Sequence, residues 1–435
     1  MEKAYKRSRV MYIIEAGLEY LISILFAESF LPRLTGENGL DLSDPVRAVI
    51  SAVISLGCVF QLLAMLFRRG RAKPLVLTLS VTNQLLFMFL YIIPIFNFTP
   101  DQKRAIFIVG ILLAYLLYYI AHPQKINWLM SLVDDKQRGK FTAKKEIISL
   151  IMGILYSFVM GTVVDNFEAK GQYKESFLFL ALTVFVLMIL HTLTMIFSVE
   201  KPSPKSKNSP ASEFFSAFKE KNVLVVSVVF VLWNIASYSA KPFYGSFMEN
   251  KHELAFNAKF MWVLITVSAV SRIIASVIFG IISDKRSFAK TVTVGFIIAG
   301  ASFLTICFAT PENGKALFII HYILYGAAMG GINSALINLC YDYAPTEKRV
   351  AALAVTQALS GVIGFTTTTL VSLLVEKIQA NGNEFLGMGL YAQQVVSVIG
   401  VVFSILATLY VVFFISKLKR VSEEAKEDKN AQKVS

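Results

Sequence analysis

Apolar residues run along almost the whole chain in stretches of about 20, separated by short polar breaks, and each stretch is long enough to cross the ~30 Å hydrocarbon core of a bilayer as a helix. The pattern predicts twelve spans, at 9–31, 46–67, 74–96, 104–131, 147–166, 176–198, 221–245, 259–281, 291–309, 316–340, 350–375 and 389–417. The expected fold is therefore all-α and polytopic. The longest polar connection, 199–220, contains Pro202, Pro204 and Pro210, followed by Phe214, Phe215 and Phe218 at amphipathic spacing. It divides the spans six and six. This predicts a first six-helix bundle over 1–198, a cytoplasmic linker over 199–220 whose aromatic part lies along the membrane surface, a second bundle over 221–417, and a disordered charged tail over 418–435.

Composition strengthens this reading. Of 435 residues, 55% are hydrophobic and only 16% charged, too few polar groups to clothe a soluble protein of this length. The net charge of +13 reads first as topology. With the N-terminus in the cytoplasm, basic residues are about threefold more frequent on the inner side, so both termini are expected inside and nucleic-acid binding is not. Lys3, Lys6, Arg7 and Arg9 precede an apolar stretch that holds Glu15 and Glu19 and lacks a small-residue cleavage site, which reads as a retained first helix. Cys58, Cys307 and Cys340 all fall in apolar runs and form neither a disulfide framework nor a Cys/His metal set. No Walker loop, zinc-protease motif or nucleophile elbow is present, so neither an enzyme, a cofactor nor a metal is expected.

An internal repeat supports the division. A shift of 211 positions lays Asn127 on Asn338, Arg138 on Arg349 and Gly153 on Gly364, and each of the two aligned connections joins acidic residues to basic ones where the chain leaves the membrane. Two parallel six-helix pseudo-repeats are one architecture of secondary carriers. Gly280-Ile281-Ile282-Ser283-Asp284-Lys285-Arg286 resembles the G-x-x-x-D-R/K signature of the major facilitator superfamily, with Ser287 in place of its final glycine. The resemblance covers 1–417. It implies the major facilitator fold and an inner gate built from Gly280, Asp284 and Lys285 with Arg138 and Arg349. Asp284 would serve there by pairing with an arginine or by accepting helix N-terminal amides. The corresponding loop of the first half has Phe67 where the family has aspartate, and the fifth span has Gly153 and Gly161 with no proline between them, so the family's drug-antiporter signature is missing.

Ionisable side chains are costly in hydrocarbon and mark cavities or partners. Glu15, Glu19, Glu28, His122, Lys125, Lys241 and His321 fall on the first, fourth, seventh and tenth spans, the four helices that line the central cavity in the family this chain resembles. His191 and Arg272 lie on other spans, and His191 reads as a satisfied structural residue. Polar and aromatic residues share helical faces: Tyr12, Glu15 and Glu19; Tyr115, Tyr118, His122 and Lys125; Asn234, Tyr238 and Lys241; Tyr322, Tyr325 and Asn333. These stripes are the expected substrate cavity. By depth along their helices, Glu15 matches Lys125 and Glu19 matches His122, and these four are the expected proton-coupling group. Glu28 and Lys241 lie near outer helix ends as a candidate outer gate. Gly326, Gly330 and Gly331 allow the tenth helix to pack closely. The resulting expectation is a monomeric secondary transporter of the plasma membrane, preferably a proton symporter of a polar solute such as a sugar or organic ion. A drug or amphiphile antiporter and a non-transporting receptor are the alternatives.

Overall fold

The computed structural model describes residues 2–26, 31–36, 38–42, 71–134, 137–201, 218–249, 253–256, 258–285, 287–345, 348–418 and 420, with isolated positions 57, 59, 60, 63 and 216. Most of the second expected span, of the linker and of the tail, together with Phe67, lies outside the described residues, as does Glu28. Eleven long helices are described: α1 (Glu2–Leu25), α2 (Ala72–Ile92), α3 (Pro100–Met130), α4 (Arg138–Ala169), α5 (Tyr173–Phe197), α6 (Lys221–Ala240), α7 (Ala258–Lys285), α8 (Phe288–Ile306), α9 (Gly314–Tyr343), α10 (Arg349–Ala380) and α11 (Ala392–Phe413). Ten, all but α1, are long and apolar enough to cross a membrane. Those ten make the chain a multi-pass membrane protein. The remaining helix, α1, has basic residues in its first turns and Glu15 and Glu19 in its middle.

The chain divides into two compact units, one of 1–134 with 144–211 and the other of 135–143 with 212–435. The first turn of α4 thus counts with the second unit and the rest of that helix with the first. In the first unit Leu25, Leu90, Tyr91, Phe107, Ile111 and Leu180 form a fully buried core. Asn83 Nδ2 ties α2 to α3 by donating to the Ala114 carbonyl at 2.7 Å. The C-terminal carbonyls of α5 face cations, as the helix dipole favours: Lys73 Nζ donates to Ile196 O at 2.6 Å and to Ser198 O at 2.7 Å. In the second unit the core is aromatic, with Trp233, Phe296, Phe303 and Phe318. There α9 packs on α7 through the glycines read from the sequence. A Cβ on Gly326 would strike the Ser268 carbonyl, and one on Gly330 would lie 2.8 Å from Arg272 O. Leu155, Phe158 and Leu178 on one unit, and Ile274, Leu370 and Phe413 on the other, are exposed despite their apolarity, as lipid-facing residues are.

Glu253, in the loop before α7, is buried. Its Oε1 accepts from Gln379 Nε2 at 3.3 Å, and its Oε2 has no hydrogen-bond partner among the described residues. Burial pushes this carboxyl above its ordinary range, opposed by the Gln379 bond. The folded state therefore holds the proton more tightly than the unfolded state does. The associated stability is present in acid and lost as the pH rises through the raised value. Glu253→Gln is expected to raise the thermal midpoint at neutral pH, with a gain that shrinks in acid, as thermal unfolding in detergent at two pH values would measure.

Candidate functional site

Four helices of the first unit bring polar side chains to one place. Glu15 and Glu19 stand one turn apart on the same face of α1. Lys125 of α3 reaches both, with Nζ 3.0 Å from Glu15 Oε1 and 2.5 Å from Glu19 Oε2. From α5, His191 Nε2 lies 3.0 Å from the same Glu15 oxygen, and from α2, Gln84 Nε2 lies 3.1 Å from His191 Nδ1. Glu15 and His191 are almost wholly buried, whereas the Glu19 side chain is 26% exposed. The result is a continuous chain, Gln84–His191–Glu15–Lys125–Glu19, whose accessible end is Glu19.

The cluster differs from its sequence expectation in two respects. Glu19 meets Lys125, not His122, because one long ammonium side chain can span two carboxylates a turn apart, while the shorter imidazole turns toward Tyr118, at 5.4 Å between ring centroids. His122 Nδ1 is buried with no hydrogen-bond partner among the described residues. His191, read as structural, is a direct partner of Glu15, and Gln84 was not singled out at all. The signal in the sequence is an imidazole within an otherwise uncharged stretch of α5, together with the polar pair Asn83-Gln84 within α2. Pro123 lies between His122 and Lys125 inside α3 and removes the backbone donor that would bind the Tyr119 carbonyl. Tyr12 is buried on the Glu15 face with Lys145 Nζ 5.3 Å from its ring centroid, and Tyr115, Tyr118 and Tyr119 form a mutual aromatic group.

Glu15, Glu19 and His191 present ligand atoms within 4.8 Å of one another, a spacing compatible with a cation. The Lys125 ammonium is seated among them and supplies the positive charge itself.

In the second unit the stripe residues divide between two neighbours of α6. Asn234 Nδ2 donates to Ser360 O at 2.8 Å, and Tyr238 lies against Gly364, so both face α10. Ser237 Oγ lies 3.3 Å from the Tyr325 hydroxyl, and Lys241 Nζ stands 4.8 Å over the Tyr325 ring, so these face α9. Pro242 ends α6 just beyond Lys241 in a single 3-10 turn. Tyr325 stacks on His321, whose Nδ1 lies 2.9 Å from Ser302 O, and Tyr322 packs edge-on to the same imidazole. Asn333 is half-buried farther along α9.

Asp284, at the end of α7, accepts the first-turn amides of α4, Gly139 N at 2.8 Å and Lys140 N at 3.1 Å. This is the amide-accepting arrangement of the two the motif allowed. A Cβ on Gly139 would sit 2.6 Å from Asp284 Oδ1, so only glycine permits the approach. Ser287, in place of the family's glycine, caps α8 by accepting from Lys290 N at 3.2 Å. Lys285 is exposed. Arg138 and Arg349 converge on one residue, with their guanidinium carbons 5.8 and 5.5 Å from the Tyr341 ring centroid. Asp284→Ala is expected to cost about 1 kcal/mol as a lost cap, with Asp284→Asn intermediate because one oxygen acceptor remains, measurable as an ordered series of thermal midpoints.

A family model described as Major Facilitator Superfamily matches residues 10–368. The chain belongs to this superfamily. Its members are transporters and not enzymes, in keeping with the absence of catalytic motifs from the sequence. The sialic acid transporter NanX of Escherichia coli (strain K12) is 24% identical over 268 residues, which span 59% of this chain and 60% of that protein's length. Among solved structures, a bacterial homologue of the iron transporter ferroportin in an outward-facing state matches with a TM-score of 0.70 at 11% identity, over 95% of this chain and 100% of that one. The Escherichia coli fucose:proton symporter matches with a TM-score of 0.67 at 11% identity, over 94% and 98% of the two chains. At such identities these structures establish the major facilitator fold.

Proposed function

We propose that this superfamily transporter is a proton symporter of a polar organic solute, a sugar or an organic ion, working by alternating access as a monomer in the plasma membrane. The observation that carries the reading is the buried Glu15–Lys125–Glu19 group on α1 and α3, with one carboxylate closed off and the other accessible. A carboxylate that is neutralised in one state and paired with a lysine in another can load and release a proton as the protein changes conformation. The stripes Tyr12, Tyr115 and Tyr118 on one unit and Asn234, Tyr238, Tyr322, Tyr325 and Asn333 on the other offer hydrogen bonds and aromatic faces suited to a hydroxylated or charged solute, and Lys241 adds a cation beside Tyr325. The names of two similar proteins, a sialic acid transporter and a fucose:proton symporter, agree with that solute class. The same proposal takes in twelve spans, a 1–198 and a 221–417 bundle joined by 199–220, both termini in the cytoplasm, and Asp284 with Gly280, Lys285, Arg138 and Arg349 as an inner gate.

The test uses purified protein in liposomes under an imposed pH gradient, acid outside, with a panel of labelled sugars, sugar acids, organic acids, amino acids and cationic dyes. One polar solute is expected to accumulate and to leak back when a protonophore collapses the gradient. Extrusion of dye in exchange for protons would replace symport with efflux, and absence of flux for the whole panel would remove the reading.

A further inference from the structure

Both ring nitrogens of His191 are engaged, and the orientation of the Gln84 amide decides where the ring proton sits. With the amide nitrogen toward Nδ1, Gln84 can only donate, so in that orientation Nδ1 accepts and is bare. The single proton of the neutral imidazole is then on Nε2, which donates to Glu15 Oε1 at 3.0 Å. Gln84 Oε1, on a side chain buried to 3% exposure, has no hydrogen-bond partner among the described residues. An unmet buried acceptor of this kind is destabilising. The two faces of a glutamine amide have the same shape, so hydrogen bonding alone selects between them. Turning the Gln84 amide over puts its oxygen opposite Nδ1, where an oxygen can only accept, and Nδ1 must then carry a proton. The turned amide and the doubly protonated ring therefore belong together.

Two carboxylates, Glu15 and Glu19, face the Lys125 ammonium directly, and the Lys145 ammonium of α4 also acts on both. The groups around His191 are Glu15 of α1 in direct contact, Lys125 of α3 and Glu19 of α1 beyond it, Tyr12 of α1, His122 of α3 and Lys145 of α4 acting on those carboxylates, the uncharged Gln84 of α2, and on α5 itself Thr194, whose hydroxyl donates to the His191 carbonyl at 2.6 Å.

We propose that His191 is the inner proton-binding site of this cluster and that the Gln84 amide is a two-position latch that turns when the second proton arrives. The proton is taken from water, bound by the Nδ1 lone pair and returned to water, and no other covalent bond changes. The part that this site plays in transport rests on the symport reading; the binding of the proton does not.

The experiment is ¹⁵N NMR of histidine-labelled protein in lipid nanodiscs between about pH 8 and about pH 5, with His191 assigned by the loss of its signals in His191→Gln. The wild type is expected to show a bare Nδ1 and a protonated Nε2 at the alkaline end and two protonated nitrogens at the acid end. Gln84→Leu, with no acceptor, is expected to keep Nδ1 bare across the range, and Gln84→Glu to keep both nitrogens protonated throughout it. A wild-type Nδ1 that never takes a proton overturns the proposal without recourse to any variant, as does a titration that Gln84→Leu leaves unchanged. Expected titration without solute-linked proton movement would remove the symport reading and leave the site standing. Solute-linked proton movement that persists in Gln84→Leu, with the His191 titration gone, would remove the site from coupling.

Discussion

Lys125→Met is expected to be the most damaging single change in the first unit. Its ammonium is the shared partner of Glu15 and Glu19, and Glu15 is 2% exposed, so the methionine variant would leave buried carboxylate charge without its direct ammonium partner. Removing one member of a buried ion pair costs about 3–5 kcal/mol, chiefly the penalty of the charge left behind. A large fall in thermal midpoint and loss of transport should follow, with part of the stability returning in acid, where carboxylates are neutralised. Combining Lys125→Met with Glu15→Gln removes both charges and should recover much of the stability without recovering transport. If the double variant were no more stable than the single one, the cost would lie in lost packing and the account of the cluster as a charge network would fail.

Glu19→Gln is expected to abolish accumulation while exchange of labelled for unlabelled solute remains measurable. Glu19 is the accessible end of the chain of contacts, and a glutamine there keeps the shape and a hydrogen bond to Lys125 but cannot give up a proton. One proton per solute supports about tenfold accumulation for each pH unit across the membrane, since one unit is worth about 1.4 kcal/mol. That ratio should fall to unity in the variant. Exchange requires no net proton transfer and so does not depend on the lost group. Full accumulation by Glu19→Gln would move the coupling proton to another residue.

Much of this was legible in the chain, for identifiable reasons. Hydropathy gives span lengths because the bilayer fixes them, and the Gly280-to-Arg286 spacing pointed to the superfamily. Ten described helices have spanning length and apolarity, α1 carries the charges of the first expected span, and most of the second expected span lies outside the described residues. Depth arithmetic brought Glu15 level with Lys125 because rise per residue is constant along a helix. Rotation about the helix axis is not fixed by hydropathy, and this hid His191, whose ring turns toward α1, as well as Gln84, which meets it from α2. The contest between His122 and Lys125 for Glu19 turned on side-chain reach, a property of the packed structure. Asp284 was visible as a motif, but its partner amides lie about 145 positions earlier in the chain, a pairing that no local pattern records.

The central claim, that solute and proton cross together by way of the Glu15–Lys125–Glu19 cluster, is tested most directly by trapping a pH-sensitive dye inside liposomes that carry the protein. The solute that accumulates in the panel is then added outside with no initial pH gradient. The lumen is expected to acidify in step with solute uptake in the wild type and to stay constant with Glu19→Gln. Solute uptake by the wild-type protein with no change in luminal pH would contradict the account.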